Sequence, residues 1–115
     1  MKTSEINIKV VTDINHLPEQ ITWQATDSGM EGENETKAMM LAFWDSSQQN
    51  TLKIDLWTKD MMVDEMADFF YQTMMGMADT YDRATHNHEL VNDMKAFAKD
   101  FYKKFREQQL KENKV

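Results

Sequence analysis

The chain has no cysteine, one proline and three glycines in 115 residues. Without cysteine there is no disulfide, no thiolate nucleophile and no cysteine-ligated zinc site. Three glycines nearly exclude a glycine-rich phosphate loop, and none follows a strand pattern at the spacing such a loop needs. Long apolar runs are missing as well. The longest spans Ala38 to Trp44, far short of the ~20 residues of a spanning helix. The opening stretch, MKTSEINIKV, lacks the apolar centre of a secretory signal. These absences predict a cytoplasmic chain with no membrane span, reaching the envelope only through partners. Basic residues are outnumbered 20 to 13, for a net charge of −7. That balance argues against nucleic acid or anionic lipid as a partner, since both recruit Lys and Arg clusters.

What is present suits one domain over 1–115, because a 41 % apolar fraction is ample for a core. Methionine occurs 11 times, either replacing Leu in the interior or lining an adaptable binding surface. Acidic residues dominate residues 1–100. The last fifteen residues carry Lys103, Lys104, Arg106, Lys111 and Lys114 against Glu107 and Glu112. Such a basic end complements the negative pole of a C-terminal helix, and it is also a docking element in waiting.

The two halves differ in hydrophobic period. In 1–58 the pattern alternates. Ile6, Ile8 and Val10 share one strand face, and Ile21, Trp23 and Ala25 share another. The turn formers Asp13 to Pro18 lie between them, so the pair reads as a hairpin. Residues 27–36 are polar and hold two glycines, which reads as a loop. The apolar run 38–44 fits a helix or a buried strand. The strand is preferred, because Met39, Leu41 and Phe43 then share a face and Asp45–Asn50 leads into a clear strand, Thr51 to Trp57.

From 61 to 85 the period is 3.6. Val63, Met66, Ala67, Phe70, Met74, Met77, Ala78 and Tyr81 fall on one side, with acidic residues opposite. Asp60 is the predicted N-cap. Thr85 to His88 breaks the pattern, and a second helix over 88–111 carries Leu90, Met94, Phe97, Ala98, Phe101 and Phe105. A one-sided sheet must cover its apolar face. The predicted fold is therefore α+β: about four antiparallel strands in the N-terminal half, with two C-terminal helices packed on one face.

Catalytic patterns are weak. His86, His88 and Glu89, with Asp79 and Asp82 upstream, form the nearest approach to a metal cluster, yet no zinc-helix motif is present. The acids of the first helix read as a solvated face rather than a general acid–base pair. Ser4, Ser28, Ser46 and Ser47 lie in loops or at the terminus, without a nucleophile elbow. No catalytic, metal or cofactor residues are assigned. The suggestive feature is surplus apolar surface. Met62, Phe69 and Gly76 line one edge of the first helix, outside its main stripe. Gly76 in mid-helix costs roughly 1 kcal/mol against Ala, a cost that suits close approach of another backbone. Trp44 and Trp57 lie on the sheet face away from the predicted core. Aromatic residues and Met on a charged surface mark protein contacts. Trp57, Lys59, Met62, Phe69 and Gly76 are accordingly the predicted partner-binding residues. The other reading of the same pattern is a small-ligand or enzyme pocket between sheet and helices, near Trp23, Phe43, Phe70 and Met74.

The segment TLKIDLWTKDMMVDEM, Thr51 to Met66, is distinctive. With FFYQTMMGMADTYDRAT (Phe69 to Thr85), ITWQATDSG (Ile21 to Gly29) and KAMMLAFWD (Lys37 to Asp45), it resembles the gliding-motility protein GldC family of Bacteroidetes. The resemblance covers nearly the whole chain. It departs from the family pattern at Met62, often proline there, and at His86-Asn87-His88, often a turn with Gly-Asp. The resemblance implies a small accessory protein of the gliding apparatus, without enzymatic activity, cofactor or ligand residues. Its implied partners are other gliding-machinery proteins, and a homodimer is a further expectation.

Overall fold

A computed structural model of the chain describes residues 1–29 and 31–112. Lys114, counted in the basic end, lies outside the described residues, as does Met30 of the 27–36 segment. The described residues carry five strands followed by two helices, an α+β arrangement. Contacts gather into two compact units, one running Met1–Met61 and a second beginning at Met62.

In the first unit, β1 (Ile6–Thr12) and β2 (Pro18–Ala25) pair antiparallel, with Ile6, Ile8 and Val10 opposite Ala25, Trp23 and Ile21. The two apolar sets share one face, as period-two alternation requires. Ile21 is fully buried. A short strand, β3 (Asn34–Thr36), pairs with Ile21–Trp23. This corrects the reading of 27–36 as a loop throughout. β3 is polar, so no alternation announces it, and its order comes from the ladder to β2.

β4 (Ala38–Asp45) and β5 (Asn50–Trp57) form a hairpin. The run 38–44 is thus a strand, with Met39, Leu41 and Phe43 opposite Leu56, Ile54 and Leu52. Trp44 and Trp57 fall on the other face, through the pairs Trp44–Thr51 and Ala38–Trp57. The Asp45 carboxylate closes the turn by accepting from the Ser47 N–H at 3.0 Å and the Ser47 hydroxyl at 2.8 Å. Those bonds, the hydroxyl foremost, hold its pKa below the ordinary aspartate value.

The predicted single sheet of about four strands is instead two sheets, of order β1-β2-β3 and β4-β5. The chain changes sheet at Lys37. There the Thr58 N–H donates to the Lys37 carbonyl at 2.8 Å, and the Thr36 hydroxyl donates to the Ala38 carbonyl at 3.1 Å. The break is made by backbone pairing of a lysine, which hydropathy does not reveal.

In the second unit, α1 (Val63–Thr85) and α2 (His88–Glu112) pack on one another. The predicted cap, Asp60, is engaged elsewhere, accepting from the Thr58 hydroxyl at 2.5 Å. Met62 is the N-cap, and its N–H donates to Glu65 at 3.1 Å, one half of a capping box. At the other end His86 takes the left-handed conformation, φ 55°, and its N–H donates to the Asp82 carbonyl at 2.8 Å. Asn87 then caps α2, its side chain accepting from the Leu90 N–H at 3.2 Å. Helix reversal therefore takes two residues.

Small residues make the helix contact. Ala67, Ala78, Val91 and Ala98 are buried, Tyr71 and Tyr102 stack at 4.9 Å, and Lys95 meets Asp79 at 2.9 Å. On a wheel with Val63 at zero, Ala67, Tyr71 and Ala78 centre at about 60°. The predicted stripe centres near Val63 itself. Its members Val63, Phe70, Met77 and Tyr81 are consequently exposed. A leucine at Ala78 would force the two helices apart. We expect Ala78→Leu to destabilise the helical unit by about 1–3 kcal/mol, read as a lower midpoint in chemical denaturation followed by circular dichroism.

Candidate functional site

Around β5 the first unit forms a groove of about 380 Å³, lined by Leu17, Pro18, Asp55, Leu56, Trp57 and Lys59. Three local structures build it. The first is the β1–β2 turn. Asp13 Oδ1 accepts from the N–H groups of Asn15 at 2.8 Å and Leu17 at 3.0 Å, and the Asp13 N–H donates to the Leu17 carbonyl at 2.8 Å. His16 takes φ 63° to let the chain return. Leu17 is left half exposed, and Pro18 opens β2 where no ladder donor is needed. The second is the end of β5, where Trp57 stands 54 % exposed. The third is the turn after β5. There Lys59 donates its backbone N–H to the Pro18 carbonyl at 3.1 Å, while its ammonium reaches Asp13 Oδ2 at 2.9 Å and Glu19 Oε1 at 3.2 Å.

The polar floor is thus an ion triad tying two segments 46 positions apart in the chain. The Leu17 N–H bond, then Lys59 and Asn15, hold the Asp13 pKa down. Asp13 and then Glu19 raise that of Lys59. Thr58, the one buried polar residue of the described core, anchors the same turn through Lys37 and Asp60. Chemically this is a fixed apolar slot with an acidic rim. Its charged groups satisfy one another, so the groove has a shape to offer rather than a reactive group.

Of the predicted contact residues, Trp57 and Lys59 come together in this groove. Met62, Phe69 and Gly76 belong to the second unit. Met62 is exposed and Phe69 half-buried. No atom lies within 4 Å of a Cβ built on Gly76, so the close backbone approach predicted there is not found. Sequence reasoning missed Leu17, Pro18 and Leu56. Pro18, the only proline, directly after a turn, was their available signal. The helical unit has a second groove, about 350 Å³, lined by Met74, Met77, Asp93, Met94 and Phe97.

The histidine cluster resolves into structural roles. His86 caps α1. Asp82 Oδ1 is buried, and His88 Nδ1 lies 3.0 Å from it. The left-handed turn at His86 brings His88, rather than His86, to the Asp82 carboxylate. Among the described residues no group of three or more acids and histidines is placed to hold a metal ion. Nor is any helix there long and apolar enough to cross a membrane.

A pH test follows from the triad. Asp13 has its pKa lowered on folding, so its contribution is present above the ordinary value of 3.8 and lost as pH falls through the lower folded value. Asp13→Asn keeps an acceptor for the turn but drops the charge facing Lys59. We expect the variant to melt below the wild type at pH 7, and the gap to close in acid below that ordinary value. Thermal melts monitored by tryptophan fluorescence across the pH range check this. A gap independent of pH would mean the charge is idle.

The family model described as gliding motility-associated protein GldC-like matches residues 18–107. That span takes in the groove-forming residues from Pro18 to Lys59 and most of both helices. Comparisons with curated proteins and with solved structures found no match. With the match running over most of the chain, the protein belongs to the GldC-like family of gliding motility-associated proteins.

Proposed function

We propose that the chain is a non-catalytic accessory protein of the gliding machinery. It acts on the cytoplasmic side by holding another machinery protein in the Leu17–Pro18–Trp57 groove. The observation that carries this reading is the exposed Trp57 over a floor locked by Lys59, Asp13 and Glu19. An aromatic side chain held in place loses little freedom on binding and gives the affinity that marks contact hot spots. The rim is acidic, with Asp55 lining the groove and ten acids against five bases over residues 1–60. A partner segment with an apolar residue flanked by Lys or Arg is complementary to it.

A small-ligand reading keeps one supporting observation, the groove volume, which falls at the low end for such pockets. The triad groups, however, already serve one another, leaving few polar atoms to orient a small molecule.

The test is affinity capture from a gliding host with tagged wild type, Trp57→Ala and, as a second exposed tryptophan on the same sheet face, Trp44→Ala. We expect Trp57→Ala to lose identified machinery proteins by at least about tenfold, a hot-spot effect. Colony spreading should fall with it, while Trp44→Ala behaves as wild type. Equal capture by all three would overturn the groove assignment.

A further inference from the structure

The longest apolar run in the chain, Ala38 to Trp44, lies on a strand with one ladder partner among the described residues. That partner is β5, so the other border of β4 is an open edge. Which groups face the edge follows from the register. The Thr58 N–H donates to the Lys37 carbonyl at 2.8 Å, and Ala38 stands opposite Trp57. In an antiparallel ladder, residues alternate between facing the partner strand and facing away. Lys37, Met39, Leu41, Phe43 and Asp45 thus direct their backbone groups at β5. Ala38, Met40, Ala42 and Trp44 turn theirs outward. The bond from the Thr36 hydroxyl to the Ala38 carbonyl agrees, since the β5 ladder leaves that carbonyl over.

Folded proteins guard such edges with charges, proline or short strands. Here β1 carries Lys9, β3 is three residues long, and β5 carries Lys53 and Asp55, paired at 3.2 Å. β4 has no charge and no proline from Ala38 to Trp44. It also belongs to a two-stranded sheet, which is marginal in water without a third strand. Phe43, Leu52 and Ile54 on the apolar face of that sheet stand half exposed.

The residue order of β4 selects the strand that fits. Laid antiparallel on itself with Leu41 at the centre, it sets Ala38 against Trp44 and Met40 against Ala42, small against large in each outward pair. A slide of two residues sets like on like. In one direction Met40 meets Met40 and Ala38 meets Ala42; in the other Trp44 meets Met40 and Ala42 meets Ala42. A slide of one residue puts outward backbone groups opposite inward ones. In the centred register Lys37 falls opposite Asp45 at both ends. Both also serve their own chain, Lys37 beside Asp60 and Asp45 in its turn, so the size match carries the register.

We propose that a second copy of this chain occupies the edge, the two β4 strands running antiparallel about a twofold axis at Leu41. The outward residues of the two copies exchange about eight backbone hydrogen bonds. The product is a four-stranded sheet with β5 of each copy outermost. It ends on the two guarded β5 edges, so association closes at two copies, as a twofold contact does. A foreign strand has no need of an order matched to itself. None of the residues lining the Trp57 groove belongs to β4, so either proposal can fail alone.

The test is light scattering of the full chain over a concentration series, with variants that act on the backbone edge. The wild type should be a dimer. Ala42→Pro removes an outward N–H that the β5 ladder does not use, and an edge strand tolerates proline there. It should weaken association at least about tenfold, with an unchanged circular dichroism spectrum. Truncating a side chain, as in Trp44→Ala, leaves the backbone pairing in place. The chain has no cysteine, so single cysteines report the register. Leu41→Cys puts two sulfurs at the axis, on Cα atoms about 4.5 Å apart and within disulfide reach. The two copies of residue 43 stand about 13 Å apart in the same register. Leu41→Cys should therefore cross-link under mild oxidation at least about tenfold faster than Phe43→Cys, although Phe43 is the more exposed residue. A folding defect would not give that order. A monomeric wild type overturns the proposal and leaves the edge to a strand of another protein. A dimer indifferent to Ala42→Pro, or Phe43→Cys cross-linking as fast as Leu41→Cys, overturns it as well.

Discussion

One carboxylate, Asp13, does three jobs that the groove depends on. Its Oδ1 gathers two backbone donors and so closes the β1–β2 turn. Its Oδ2 holds the Lys59 ammonium at 2.9 Å and brings the end of β5 against the start of β2. Its position fixes where Leu17 and Pro18 stand relative to Trp57. The Asp13 side chain is only 12 % exposed while that of Lys59 is half exposed, so the acid is the more enclosed member of the pair. Were the ion pair merely a surface contact it would count for little. Here the same acid also accepts from two turn amides, and the arrangement is held by several bonds at once.

The legibility of this fold in its sequence follows the physics of each element. The alternating strands β1, β2 and β5 are readable because one face of each is apolar. The run 38–44 is readable as a strand only through its neighbours, since Ala, Met and Leu also favour helix. β3 is unreadable: Asn34, Glu35 and Thr36 owe their extended form to pairing with Ile21–Trp23. The change of sheet at Lys37 is likewise hidden, because the bonds that make it are backbone bonds. Trp57 and Lys59 stand out as an exposed aromatic and a cation in a distinctive segment. Leu17 and Pro18 do not, because what gives them meaning is an ion pair to Lys59, 46 positions away from Asp13.

The helix start shows the same limit at short range. Asp60 is the better N-cap by residue type, yet Thr58 takes its carboxylate first. The helix then begins two residues later at Met62, with Glu65 supplying the reciprocal bond. A propensity is a preference among alternatives, and a nearby hydroxyl was the stronger alternative for that acid.

The helical hairpin carries this reasoning furthest. Periodicity shows that α1 has an apolar side but not which part of that side meets its neighbour. Burying the bulkiest residues is the natural guess, and it puts Phe70 and Met77 at the contact. The chain does the reverse. Alanines at 67, 78 and 98 let the two backbones approach, and the tyrosines at 71 and 102 stack beside them. Close approach needs small side chains at the crossing, so the large ones are displaced to the flanks. The displaced residues form an apolar stripe. A stripe of that width costs about 25 cal/mol per Å² while it faces water. Its exposure follows from the close crossing that the small residues at 67, 78 and 98 allow.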